Sequence, residues 1–249
     1  MIQLKSEREI TIIREAGKIL AGVLRLVHDS CKEKVRTRDL DALAEEYITS
    51  RGGYPAFKGY RGFPASLCIS INEEVVHGIP GPRRVKSGDI VSVDCGVRFE
   101  GYIADSALTI PVGEISPEVQ KLLDITREAL YLGIDQARPG NYVRDISKAV
   151  QTHVERHGFT VVRDLVGHGV GRDMHEEPQV PNYVTETRGA RLEPGIVIAI
   201  EPMVNLGVHH VTMLSDKWTI VTLDRKPSAH FEHTVAITEN GPQILTNEA

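Results

Sequence analysis

Aromatic residues are scarce in this chain, only 5% of 249. Cysteine is scarcer still. Cys31, Cys68 and Cys95 are scattered, odd in number and without C-x-x-C spacing, which argues against a disulfide framework or a zinc knuckle and suits a reducing compartment. No apolar run approaches the roughly 20 residues that cross a bilayer. The opening MIQLKSEREI lacks the apolar core of a secretory signal, so no membrane role is expected and the cytoplasm fits best. A dominant charge is missing too. The net charge is −5, with charged residues at 25% and hydrophobic ones at 41%, an ordinary globular balance. Nothing points to direct nucleic-acid readout, and the short basic run Arg83-Arg84-Val85-Lys86 reads as a solvated loop.

What is present is an alternation of helical and extended patterns. Ser6 and Glu9 form a capping box before apolar positions Ile12, Ile13, Ala16, Ile19, Leu20 and Val23. A second helix is expected from Thr37 to Gly52-Gly53. Residues 54–66, rich in Gly, Pro and aromatics, read as an ordered loop. Strands are expected at 67–72, 89–97 and 102–110. Ser116-Pro117 starts a third helix, and a fourth covers about 143–157, with Val143, Ile146, Val150 and Val154 on one face. Further strands are expected at 160–166, 195–200, 208–213, 218–223 and 231–237. Gly88 through Asp94 echoes Gly195 through Glu201: a glycine, an apolar run, then a carboxylate at the same offset. With no Gly/Ser-rich linker between them, the two αβ halves are expected to share one core.

Four acids stand inside or beside apolar runs: Asp94 in IVSVDCG, Asp105 in YIADSAL, Glu201 in IVIAIEP and Glu232 in HFEHTVAI. Carboxylates are almost never buried unless paired or bound to metal. If Val97 pairs with Tyr102 across a turn at 98–101, Asp94 faces Asp105, and two like charges near 5 Å need a cation or a proton between them. Two divalent cations balance four carboxylates, and His168 in GHGVG adds a nitrogen. Such a donor set suits Mn²⁺, Fe²⁺, Co²⁺ or Zn²⁺. The glycines flanking His168 are expected to let the backbone bring that ring to the metals.

The motifs NEEVVHGIP, DIVSVDCGV, DSALT, GHGVGRDMHEEPQVPNY, IAIEPMV and HFEHT, in this order and spacing, resemble type I methionine aminopeptidases over nearly the whole chain. The resemblance implies an α+β pita-bread fold: two pseudo-symmetric αβ halves, a central curved antiparallel sheet and helices on the outer face. It implies one catalytic metallopeptidase domain over residues 1–249. The implied activity is removal of the N-terminal methionine from nascent chains, preferring a small second residue, by hydroxide activated at a dinuclear metal centre. Metal ligands fall on Asp94, Asp105, His168, Glu201 and Glu232. Asp94 would be bidentate on one ion, Asp105 and Glu232 would bridge, and His168 and Glu201 would complete the other. His175 would stabilise the oxyanion, His77 would contact the peptide nitrogen, and Glu201 would shuttle a proton. Phe57, Tyr60, Phe63, Cys68, Met174 and Trp218, together with His77 and His175, would contact the substrate.

Type II relatives carry a large insertion between the histidine ligand and the next glutamate, and His168 and Glu201 are too close for that. No N-terminal zinc-binding extension is expected, so the chain resembles the short bacterial form. The expected partner is the free N-terminus of a peptide or nascent chain, with transient ribosome contact at most; a monomer is the default. An Xaa-Pro peptidase of the same fold and a non-catalytic peptide-binding relative are the alternatives. The first usually carries an additional N-terminal domain, and the second loses ligands. Of the remaining signals, His153 and His157 read as an exposed helix face, because a helical zinc-protease motif needs Glu where Val154 stands. His209-His210 reads as a strand end or turn.

Overall fold

The computed structural model describes residues 2–247. The expected capping box opens helix α1 (Glu7–Ser30): the Ser6 hydroxyl accepts from the Glu9 amide, and the Glu9 carboxylate accepts from the Ser6 amide. Helix α2 spans Thr37–Ser50. Helix α3 (Pro117–Gln136) begins with Ser116 accepting from the Val119 amide, and α4 covers Val143–Arg156. The strands are β1 (Tyr54–Pro55), β2 (Leu67–Ile71), β3 (Glu74–Val76), β4 (Ile90–Phe99), β5 (Tyr102–Pro111), β6 (Thr160–Val161), β7 (Gly167–Gly169) and β8 (Glu176–Val180). After them come β9 (Val197–Ile200), β10 (Met203–Asn205), β11 (Val211–Met213), β12 (Ile220–Thr222), β13 (Ser228–His230), β14 (Glu232–Thr238) and β15 (Gly241–Ile244).

The main sheet runs β1-β4-β5-β14-β9-β7-β8, with β2 paired to β4 and β15 to β14, and its ladders are antiparallel. Helices α1 and α2 bury Leu20, Val23, Leu40 and Ile48 in one apolar cluster with Val91, Val93, Cys95 and Val97 of β4. Leu130 and Ile134 of α3 join Ile146 of α4 and Ile198 and Ile200 of β9 in a second. Side chains alternate across a strand, so the helices cover one face. Asp94, Asp105 and Glu232, at the alternate positions, occupy the other.

The internal echo has a structural counterpart. Gly88 and Gly195 both take positive φ, +91° and +96°, in turns that launch β4 and β9. Just upstream, Arg84 and Arg191 form isolated bridges with Arg36 and Tyr142, the residues that precede α2 and α4. Each half is thus two helices, a bridge, a glycine turn and a strand aimed at the site.

The β4–β5 register differs from expectation. Phe99 pairs with Tyr102, so Asp94 faces Ala107 and Asp105 faces Gly96. The turn needs only Glu100 and Gly101, both at positive φ (+46° and +82°), as in the tightest hairpin class. Glutamate there gives no sequence signal, which is why a four-residue turn was the natural expectation. The slip of two residues preserves the face, and the two aspartates become diagonal neighbours instead of opposed ones. The expected strand 160–166 shrinks to Thr160–Val161, and 208–213 to Val211–Met213. His153 is not simply exposed: its ring Nε2 lies 2.9 Å from Glu128 of α3. His209 and His210 stack just before β11, with ring centroids 4.0 Å apart.

Candidate active site and metal centre

The acids converge because of the register. Ala107 of β5 pairs with Asp94 on one side and Glu232 on the other. Glu201 directly follows Ile200, the partner of His233. Asp94, Ala107, Glu232 and Glu201 therefore form a row across four strands, with Asp105 two residues along β5 on the same face. The small Ala107 methyl leaves the middle of the row open.

His168 comes from β7, beside β9. A Cβ on Gly167 would meet the Ala199 carbonyl oxygen at 2.4 Å, and one on Gly169 the Glu177 carbonyl oxygen at 2.3 Å. Only glycine permits this approach, as expected from the sequence. His168 Nδ1 lies 2.9 Å from the Gly169 carbonyl oxygen, so Nδ1–H donates there and Nε2 keeps a free lone pair. Nε2 is 3.5 Å from Glu201 Oε1 and 3.8 Å from Asp105 Oδ2. Asp105, His168 and Glu232 each place a ligand atom within 4.8 Å of the others, near the spacing of ligands held about 2.1 Å from one ion.

The electrostatics are those of a cage built for cations. Burial, then the charges of Asp105 and Glu201, pushes the Asp94 carboxyl well above its ordinary range. Burial and the neighbouring Asp105 do the same to Glu201 and Glu232. Burial raises Asp105 to about 7. Burial, and next the charge of His175, lowers His168 to about 4, so the ring is neutral. Asp94 Oδ1, Asp105 Oδ1 and Glu232 Oε1 are buried without a hydrogen-bond partner. Orphaned buried carboxylate oxygens are costly and demand an explanation. Divalent cations supply one, so the donor set fits them.

The same cavity, about 340 Å³, is walled by Phe57, Tyr60, Phe63, Cys68, Met174 and Trp218 and also by His77 and His175. All eight residues expected at the substrate therefore meet the five expected at the metals. Phe63 meets Trp218 edge-on at 5.1 Å. Cys68 is fully buried, and burial followed by Asp94 raises its thiol well above the usual value, so it packs as a small apolar group. His77 leaves β3 at φ +61°, a conformation costing about 1–2 kcal/mol for a non-glycine residue. Its ring centroid stands 6.4 Å from that of Trp218, edge-on. Burial and the His175 charge lower His77 to about 4. His175 Nδ1 is 2.8 Å from the Tyr60 hydroxyl, and its ring lies 4.3 Å from that of His168.

A profile of metallopeptidase family M24 matches residues 11–239. The chain belongs to that family. Methionine aminopeptidase 1 of Bacillus subtilis is 53% identical over 99% of both chains. The methionine aminopeptidase of Clostridium perfringens is likewise 53% identical over 99% of both. The crystal structure of methionine aminopeptidase from Thermotoga maritima superposes with a TM-score of 0.97, at 46% identity and full coverage of both chains. Prolidase from Pyrococcus furiosus shares the fold alone, with a TM-score of 0.79 at 24% identity; the match covers 99% of this chain and 66% of that one. The pita-bread architecture expected from the motifs is thus the observed one.

His230, the first residue of the HFEHT motif, stands at the centre of this M24 chain with no role implied by the resemblance. His230 is 1% exposed. Neither of its ring nitrogens has a hydrogen-bond partner, and its Nε2 is 3.8 Å from Glu201 Oε2 and 4.0 Å from Glu232 Oε2. The i, i+2 spacing to Glu232 was the available signal. Asp164 and Leu165, outside every motif, also line the cavity, as does Met203 of IAIEPMV.

The raised carboxyls make cation binding proton-linked in an M24 protein of this geometry. Burial raises the carboxyls of Asp94, Glu201 and Glu232 well above their ordinary range and so favours their protonated forms, whereas ligation needs them ionised. Binding therefore releases protons, and apparent affinity rises with pH, by about tenfold per unit for each proton displaced. Neutral His168 contributes none. Calorimetric titration of Mn²⁺ into metal-free protein, in buffers of different ionisation enthalpy, reads the proton count. A count of zero at pH 7 contradicts the coupling.

Proposed function

We propose that this chain is a type I methionine aminopeptidase. It removes the N-terminal methionine of nascent proteins and peptides and prefers a small second residue. The observation that carries this reading is one cavity that joins an oxygen-rich floor to an apolar, aromatic wall. Its relatives bearing that name at about half identity and full length support it. Asp94, Asp105, His168, Glu201 and Glu232 would hold two divalent cations, from among Mn²⁺, Fe²⁺, Co²⁺ and Zn²⁺. When bound, such cations supply Lewis acidity for an attacking water and for the scissile carbonyl.

The chain's own side chains do the rest. Phe57, Tyr60, Phe63, Cys68, Met174 and Trp218 receive a flexible thioether, for which aromatic rings are favourable neighbours. The confined volume disfavours a bulky second residue. His175, with Nδ1 engaged by Tyr60, presents Nε2 to the carbonyl oxygen as negative charge develops there. His77, neutral at working pH, hydrogen-bonds the peptide nitrogen and helps to protonate the leaving amine. Glu201, whose carboxyl readily holds a proton, carries it from the attacking water toward that amine. Among the described residues no helix is long and apolar enough to cross a membrane. We place the enzyme in the cytoplasm as a monomer and one catalytic domain, meeting chains as they leave the ribosome.

Release of free methionine from a Met-Ala-Ser peptide, titrated with each of the four cations, is the test. Turnover is expected with at least one of them, and little is expected on an Xaa-Pro peptide assayed in parallel. Preferential cleavage of the Xaa-Pro peptide would move the chain to the prolidase branch of the fold. Inactivity with every cation would leave a binding protein.

A further inference from the structure

Lys5 lies just ahead of α1, far in sequence from the site, yet its side chain is 3% exposed and that of Glu176 is 8% exposed. Their charged atoms are 2.5 Å apart. A buried pair of this kind is costly to assemble and more costly to break by halves. Glu176 is fully engaged. Its Oε2 accepts from Lys5 Nζ, and its Oε1 accepts from the backbone amides of Arg172 and Asp173, at 2.8 and 3.2 Å. Those amides belong to the segment between β7 and β8 that carries Met174 and His175. Lys5 is itself fixed: Nζ donates to the Gln3 carbonyl oxygen at 3.1 Å, and its amide to the Gly195 carbonyl oxygen at 2.7 Å. Gly171 makes the room, since a Cβ there would stand 2.3 Å from Lys5 Cε and 2.8 Å from Glu176 Oε1.

We propose that the Lys5–Glu176 pair is a positioning device for His175, closing the base of the 171–175 turn so that the imidazole is held against Tyr60 and over the site. Lys5 and Glu176 are positioning residues: neither lines the cavity. The inference rests on the aminopeptidase role of His175 proposed above. A turn freed by even about 1 Å is enough to cost up to 100-fold in rate when the displaced group acts on the transition state.

The test is a double-mutant cycle on purified, cation-loaded enzyme with Met-Ala-Ser, alongside bound-metal content and thermal melting. Lys5→Met is expected to lower kcat roughly 10- to 100-fold with KM nearly constant and metal content unchanged. In a His175→Ala background the same substitution is expected to change kcat less than twofold, because the group it positions is gone. Glu176→Gln, isosteric and still able to accept from both amides, runs the same cycle if Lys5→Met does not fold. Equal losses of kcat in both backgrounds, or loss of bound metal from Lys5→Met, would make the pair purely structural and overturn the inference. Full activity of His175→Ala alone would instead overturn the role of His175, a distinct result.

Discussion

Asp105→Asn is expected to lower kcat/KM on Met-Ala-Ser by at least about 10³-fold while making the metal-free protein harder to melt. Asp105 stands at the middle of the cage, in contact with Asp94 and near His168, with one oxygen lacking any partner. An amide there removes an anionic donor, and the several kcal/mol of charge stabilisation that metal ions lend a transition state correspond to about three orders of magnitude. The stability effect has the opposite sign because, without cations, the carboxylate is a liability. It is buried, and burial raises its pKa to about 7 even against the lowering effect of hydrogen bonds from the Ser106 amide and Asp94. With a folded pKa above the unfolded value, its contribution to stability is complete below about 4 and is lost as pH rises through about 7. The Asp105→Asn variant, with no proton to lose, escapes that loss. Above neutral pH a gain of each kcal/mol raises the melting temperature by about 2–4 °C in a chain of this size. Scanning calorimetry with and without Mn²⁺ is the check: the metal-free variant is expected to melt above the parent, and the increase that Mn²⁺ is expected to give the parent is expected to collapse. A variant with full turnover and an intact metal-induced increase would remove Asp105 from the centre.

His175→Ala comes second in size. Loss of a single preorganised donor to an oxyanion costs about 10²–10³ in kcat. The loss is expected in kcat with KM nearly unchanged, because the contact strengthens only as charge develops. Bound metal and melting temperature are expected to stay close to the parent, since the ring's one strong tie is to the Tyr60 hydroxyl. Steady-state kinetics on Met-Ala-Ser with metal analysis decide the matter. A rise in KM at constant kcat would make His175 a substrate-binding group and no more.

Local chemistry made much of this molecule readable in advance. Ser6 with Glu9 and Ser116 with Pro117 mark helix starts because they satisfy amides that a helix leaves orphaned, and the caps form as written. The four acids and His168 stand out because their neighbours are apolar, and the fold gathers all five in one cavity. What stayed hidden depends on partners distant in the chain. The left-handed backbone at Glu100 has no compositional sign, so sequence alone places the β4–β5 register two residues away from the observed one. Strands such as Met203–Asn205 and Ser228–His230 are too short for a periodic pattern. His230 carries no motif role until the β13–β14 corner turns it toward Glu201. Lys5 looks like any charged residue before a helix, and only its burial against Glu176 distinguishes it.

The row of acids crosses the boundary between the two structural repeats. Asp94 and Asp105 come from the first, and His168, Glu201 and Glu232 from the second. Cations seated there would stitch the repeats together as well as drive hydrolysis. An ion at 100 times its dissociation constant adds about 2.7 kcal/mol to such a seam. Starvation for divalent ions would then reach this enzyme twice, as idle catalyst and as a looser target for proteolysis, so its abundance would follow the cell's metal supply without any dedicated sensor.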